Sequence, residues 1–293
     1  MKRFSHPFMH LLVLAAWSLV MMVVALFLGV AFGISDTDPL THSHDNAFSF
    51  LLWNVVVQLL TFALPVVLVT RRYYRETQGD FYRLDFSRRS WMLALAGVLV
   101  LLFMVPLTDW LSIWNDSWHF SGAWEKLEHR LREAGEQSQQ LVDSLMRECN
   151  PLLSLFGMAF VPAICEELFF RVGIQNLLQK WFKNPHAAVW VTAALFSLAH
   201  GEVFAFLPRF LLGGLLGYLY FYGSSLLVNV VAHFINNAIV VVAYALMSDG
   251  GSSLDPSQPL AVPLLATIAC TAAAIALFWF AYLRHQPHGT SEL

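Results

Sequence analysis

The sequence predicts an all-α, polytopic membrane bundle of about eight transmembrane helices, with an active site between helices of its C-terminal half. Three observations carry this. Hydrophobic residues make up 57% of the chain and charged residues 13%, where a soluble domain has roughly 25% charged. The apolar residues gather in runs of about 20, the length that crosses a bilayer core. The ionisable residues inside those runs cluster in three neighbouring segments, where each charged one costs about 2.5–3.5 kcal/mol.

Taken in order, the first span is Leu11–Gly33. It is too long for a signal-peptide core, and no convincing small-residue cleavage site follows. Phe48–Thr70 and Trp91–Leu107 are the second and third spans. Pro151–Leu178 is the fourth, interrupted by two glutamates. Ala187–His200 is a short fifth, with Val203–Tyr222 as the sixth, Ser225–Met247 as the seventh and Leu260–Leu283 as the eighth. The boundary between fifth and sixth is the least defined. The polar tail after Leu283 is expected to be disordered. The organisation is therefore N-terminal helices with an amphipathic loop (1–150), a motif-bearing core (151–250), and a last helix with its tail (251–293).

The long loop before the fourth span has its own pattern. Trp124, Leu127 and Leu131 recur at helical spacing, as do Leu141, Leu145 and Met146, among charged and Gln/Ser residues. This predicts an amphipathic segment, as two helices broken near Gly135, either packed on the bundle end or closing over the site.

Basic residues set the orientation. Lys2, Arg3, Arg71, Arg72, Arg75, Arg83, Arg88, Arg89, Lys180, Lys183 and Arg284 flank alternate span ends, whereas Ile34–Asn46 and Ser248–Pro259 have no Lys or Arg. The positive-inside rule then places both termini in the cytoplasm. Lys126, Arg130, Arg132 and Arg147 of the amphipathic segment are the exception. Short loops suit a bacterial inner (cell) membrane. Net charge −3 without a basic tract excludes a nucleic-acid partner. Cys149, Cys165 and Cys270 have no ligand-like spacing and read as small core hydrophobes. Gly213, Gly214 and Gly217 form a patch for close helix approach. Arg209 follows Pro208 and is a candidate anchor at the headgroups or contact for a substrate terminus. Trp91, Trp110, Trp114 and Trp118 read as interfacial aromatics.

The chemistry lies in three patterns. In Glu166-Glu167-x-x-x-Arg171, Glu167 and Arg171 share a helix face at i, i+4 and can pair. Glu166 is rotated by about 100°, so the two carboxylates are not expected to serve one partner well. Adjacent acids in apolar surroundings repel and desolvate each other. The one left without a cation is suited to general-base work, which assigns Glu166 as base and Glu167–Arg171 as support. In Phe196-x-x-x-His200 the aromatic packs one turn beneath the imidazole. In His233-x-x-x-Asn237 both polar groups share a face, and Asn229 extends the stripe one turn earlier. Each pattern alone also fits structural pairing, capping or interhelical hydrogen bonding. Together they supply a proton acceptor, imidazoles to position water, and donors for an oxyanion.

These runs are Glu166-Glu167-Leu168-Phe169-Phe170-Arg171, Phe196-Ser197-Leu198-Ala199-His200 and His233-Phe234-Ile235-Asn236-Asn237. Their order resembles the three-motif signature of the CAAX-protease and bacteriocin-processing (CPBP) family, also called the Abi or type II CAAX prenyl endopeptidase family. The resemblance covers about Leu152–Met247. It implies an intramembrane endopeptidase in which Glu166 and His200 activate water, His233 and Asn237 form the oxyanion site, and Glu167 and Arg171 hold the first glutamate. In the metalloprotease reading, Glu166, His200 and His233 would instead hold a divalent metal such as zinc. The absence of HExxH and of a third motif histidine favours the glutamate route. The implied partners are a peptide or membrane-protein substrate and the lipid bilayer. Neither prenylation of the substrate nor oligomeric state follows. The rivals are a catalytically silent scaffold or immunity factor and a proton-coupled transporter. The latter should show paired repeats, and none is evident. Because His200 ends its run while Glu166 and His233 are mid-span, the site is expected to open towards one face through a wet cavity.

Overall fold

A computed structural model of the chain describes residues 6–33, 44–248, 260 and 262–283. The basic residues Lys2, Arg3 and Arg284, most of the two loops free of Lys and Arg, and the C-terminal tail lie outside the described residues.

Among the described residues there are helices and no strand. Seven helices are long and apolar enough to cross a membrane: α1 (Pro7–Ala31), α2 (Ala47–Tyr73), α3 (Arg88–Asp116), α5 (Pro151–Phe182), α7 (Val203–Gly223), α8 (Leu226–Ser248) and α9 (Leu264–Leu283). Between them lie α4 (Glu125–Glu148) and α6 (Pro185–Ala199). The sequence expectation of about eight spans thus resolves into seven plus one short helix. At 1.5 Å per residue α6 is only about 22 Å long, below the thickness of the hydrocarbon core.

The third span runs further than its apolar run, through Pro106 to Asp116. Proline is tolerated there because neighbouring helices re-satisfy the freed groups. Prolines also explain two widened turns. Pro65 and Pro162 have no N–H to give to the turn before them, and π turns occupy Leu59–Ala63 and Leu155–Phe160.

The helices alternate in direction, and contacts at their ends define two faces. On one face, His10 stacks on Tyr73, Phe8 meets Trp181, and the Leu226 amide donates to the Arg83 carbonyl. On the other, Asn115 at the end of α3 donates to the Val203 carbonyl and accepts from the Leu207 amide. Arg71, Arg72, Arg83, Arg88, Arg89 and Lys180 all lie at the first, basic face.

The glycine patch works as expected. A Cβ on Gly213 would sit 3.1 Å from the Ala193 backbone, and one on Gly214 would sit 2.6 Å from the Trp190 ring. These contacts clamp α7 against α6. Gln175 of α5 donates to the Gly217 carbonyl at 2.9 Å, tying the pair to the central helix.

The amphipathic segment is a single helix. It runs unbroken through Gly135, correcting the expected break, because no neighbour or turn interrupts it there. Its C-terminal half buries Leu145 and Met146. Its N-terminal half is held by polar contacts: Arg132 reaches Asp116 at 2.8 Å and Glu128 at 2.9 Å, and Glu128 also accepts from the Phe120 amide. These hold the Glu128 carboxyl at about 2, chiefly through the Phe120 amide and then Arg132. α4 therefore lies across the second face, bonded to the ends of the motif helices. Ser138 donates to Glu202, and Tyr244 donates to Asp143.

Candidate active site

The motif residues come from α5, α6 and α8, and Glu167 is their hub. It is fully buried. Its Oε2 accepts from Arg171 Nε at 3.0 Å and from Asn229 Nδ2 at 3.0 Å. Its Oε1 accepts from His233 Nδ1 at 2.9 Å and from an Arg171 Nη at 3.3 Å. Four donors fill the roughly four acceptor sites of one carboxylate. This is how a bare charge is tolerated in an apolar interior: it is paired and fully hydrogen-bonded. The expected Glu167–Arg171 support pair is present. A π turn begins immediately after Glu167, at Leu168–Gln175. Such widenings recur at functional sites.

His233 is 2% exposed and lies between both glutamates. A carboxylate only accepts, so Nδ1 carries a proton towards Glu167. Nε2 then faces Glu166 Oε2 at 3.8 Å, an ion-pair distance too long for a hydrogen bond. The two carboxylates thus approach one partner after all. The imidazole reconciles this with their angular offset, because its two nitrogens point in different directions.

Glu166 is 8% exposed. It has no cation of its own among the described residues other than His233. Its Oε1 accepts from Gln58 Nε2 at 3.4 Å. Gln58 lies in α2, at the start of its π turn, and its Oε1 is buried without a partner. Asn54, one turn earlier, donates to the Gly157 carbonyl of α5. Sequence reasoning missed both. Their signal was available: two isolated amides in an otherwise apolar run.

Phe196 is buried and forms the floor. Its ring lies 4.9 Å from the His200 ring, 5.9 Å from the His233 ring and 5.3 Å from the Arg171 guanidinium carbon. The expected packing one turn beneath His200 is present, with the two rings edge to face. His200 Nδ1 donates to the Phe196 carbonyl at 2.8 Å. That carbonyl can only accept, so the Nε2 lone pair is left to act.

The residues are graded in exposure. Glu167 and Arg171 are sealed, His233 and Glu166 nearly so, and His200 is exposed at the end of α6. The exposed end is the one nearest α4 and the loop at 200–206. The exposed end of the cluster therefore points to the second face, opposite the basic loops.

Asn237 is half-buried, one turn beyond His233, and its Oδ1 accepts from Asn236 Nδ2 at 3.4 Å. Among the described residues no hydrogen bond joins it to Glu166, His200 or His233. Arg209 is paired with Glu202 at 2.5 Å.

The suggested metal set was tested on the same geometry. Glu166 and His233 converge, and His233 is backed by a carboxylate as metal-binding histidines are. His200 does not complete the set, and among the described residues no three His, Cys, Asp or Glu side chains come together to hold an ion. The residues as placed do not fit a metal.

Residues 148–239 match the model of a protein family described as Rce1-like, type II CAAX prenyl endopeptidase Rce1-like. That segment, just under a third of the chain, holds all three motifs. It agrees with the family resemblance of the motif residues. No match emerged among curated proteins or among solved structures.

Proposed function

We propose, from a matched segment that contains the whole buried cluster, that this integral membrane protein is an endopeptidase that hydrolyses a membrane-proximal peptide bond by a glutamate mechanism. One observation carries the reading: a fully satisfied Glu167 fixes His233 so that Nε2 faces Glu166, the other buried carboxylate among the described residues. A site that holds one acid silent and leaves its neighbour available separates a structural carboxylate from a reactive one.

Glu166 takes a proton from a water positioned by the His200 Nε2 lone pair. The water oxygen attacks the scissile carbonyl carbon. The resulting oxyanion is met by His233 Nε2–H and, after a side-chain adjustment, by the Asn237 amide. Collapse breaks the C–N bond, and the proton on Glu166 passes to the leaving amine. For His233 to donate from both nitrogens its ring must be doubly protonated. Glu166 and Glu167 then balance Arg171 and His233, and the buried cluster is neutral. The graded exposure, read with the positive-inside rule, supports an opening on the non-cytoplasmic side.

Cleavage of a quenched peptide library by purified protein tests the reading, wild type beside Glu166→Gln, each with and without a strong chelator. Loss of a general base costs about 10²–10⁴ in rate, so cleavage should vanish in the variant and persist with chelator. Equal cleavage by both proteins refutes the assignment of Glu166. Loss on chelation, restored by zinc, replaces the glutamate mechanism with a metal-dependent one.

A further inference from the structure

A polar cavity lies at the basic face, more than two turns beyond Glu167 along α5. It measures about 260 Å³ and is lined by Asp80, Arg83, Asn176, Gln179 and Lys180 together with Thr77 and Phe81. α2 ends at Tyr73 and α5 at Phe182, so the cavity sits at headgroup depth, where two spans leave the apolar layer.

Its polar groups are incompletely used. Among the described residues neither Arg83 nor Lys180 forms an ion pair with a carboxylate. Lys180 Nζ instead lies 4.5 Å from the Tyr74 ring and 5.0 Å from the Phe81 ring, and the Arg83 guanidinium carbon lies 4.9 Å from the Tyr220 ring. The two cations are near enough to repel each other. Gln179 is 3% exposed and its Nε2 has no acceptor. Asn176 is 4% exposed; its Nδ2 donates to the Phe81 carbonyl and the Tyr220 hydroxyl, both at 3.0 Å, and its Oδ1 has no donor. A buried amide group without a partner is destabilising, and here two such groups line one cavity and can serve a ligand. Arg83 also holds a left-handed backbone, φ 48°, which non-glycine residues seldom adopt. The Leu226 amide pins that turn through the Arg83 carbonyl at 3.0 Å.

We propose that this cavity binds a phosphodiester anion whose alcohol carries a hydroxyl group. Arg83, Lys180 and Gln179 Nε2 take the phosphate oxygens, and the hydroxyl donates to Asn176 Oδ1. Asp80, exposed at the rim, opposes a second negative charge, which disfavours a dianionic monoester. A hydroxylated phosphodiester at this depth is the headgroup of an anionic lipid such as phosphatidylglycerol. A free soluble diester shares the same chemistry. The site is independent of the peptidase reading.

Native mass spectrometry of the detergent-solubilised full chain tests this by titrating phosphatidylglycerol against phosphatidylcholine. Wild type should retain one phosphatidylglycerol in preference to phosphatidylcholine. Lys180→Gln and Arg83→Gln should each weaken that binding about fivefold, the effect of one cation at a lipid surface. Arg88→Gln and Arg89→Gln, on exposed cations outside the cavity, should leave it unchanged. Lys180 is exposed at a helix end, so Lys180→Gln keeps the test decisive even if Arg83→Gln fails to fold. Competition by glycerophosphoglycerol but not by inorganic phosphate would support diester recognition with the headgroup sufficient. No competition by either would assign the lipid itself. Equal competition by inorganic phosphate, equal binding of the two lipids, or wild-type binding by Lys180→Gln would overturn the proposal.

Discussion

The central helix α5 and the outer helix α1 have reversed relations between composition and position. α1 is the more apolar, yet only 11% of its most apolar stretch is buried in the protein; α5 is less apolar, and 56% of the corresponding stretch is buried. In water the more apolar helix would take the centre. Between lipid tails and protein side chains there is little hydrophobic difference to drive sorting. What cannot face lipid is a polar group without a partner. α5 is central because Glu166, Glu167, Arg171, Gln175 and Asn176 need neighbours that only a bundle interior supplies.

The largest effect should therefore come from breaking that satisfaction. Arg171→Met leaves the sealed cluster with one uncompensated negative charge. Removing one partner of a buried pair costs about 3–5 kcal/mol. A large fall in the thermal midpoint in detergent is expected, with partial recovery in the Glu167→Gln, Arg171→Met double variant. A single variant that melts like wild type would break the link between polar satisfaction and the position of α5.

A smaller effect is expected where a neighbouring helix touches the reactive carboxylate. Gln58→Ala removes the amide facing Glu166 Oε1. That bond fixes where the base points, and a misplaced reacting group costs up to about 10²-fold, so kcat should fall at least several-fold while the melting temperature changes little. An unchanged kcat would confine the working site to α5, α6 and α8.

These two variants also separate what was legible in the sequence from what was not. The all-α class, the i, i+4 pairing of Glu167 with Arg171 and the packing of Phe196 beneath His200 follow from helical spacing alone. That His233 takes both glutamates does not, because it depends on how α8 is rotated against α5. Gln58 was hidden for a different reason. It sits outside the motif-bearing segment, and an amide in an apolar run acquires meaning only when another helix delivers a carboxylate to it. The continuity of α4 through Gly135 was misread because glycine marks a break only where the chain must turn or pack closely.

Glu128 of α4 is a carboxylate satisfied outside the spans, to be set beside Glu167 inside them. Glu128 lies outside the spans, and the Phe120 amide, Arg132 and His119 pull its carboxyl down to about 2. A depressed folded-state value means a contribution that is fully present above the unfolded value, about 4.3, and lost as pH falls through about 2. Hydrogen exchange at residues 118–132 should stay slow at pH 3.5 and accelerate near pH 2, whereas Glu128→Gln should be fast at both. Acceleration of the wild type already near pH 4 would mean that these contacts do not hold the helix.

The smallest effect is expected on α1. Phe27 is 75% exposed, and Phe27→Ala exchanges one apolar surface for another against lipid tails of the same character. No cavity opens and no polar group loses a partner, so stability should change by no more than about 0.5 kcal/mol. Phe196→Ala, at 1% exposed, removes the floor shared by His200, His233 and Arg171 and should cost about 3–5 kcal/mol. The ratio of the two measures how far burial in protein, rather than in lipid, gives an aromatic ring its energetic weight. A Phe27→Ala loss approaching that of Phe196→Ala would mean that α1 is covered by protein in the membrane, by a second copy or another partner.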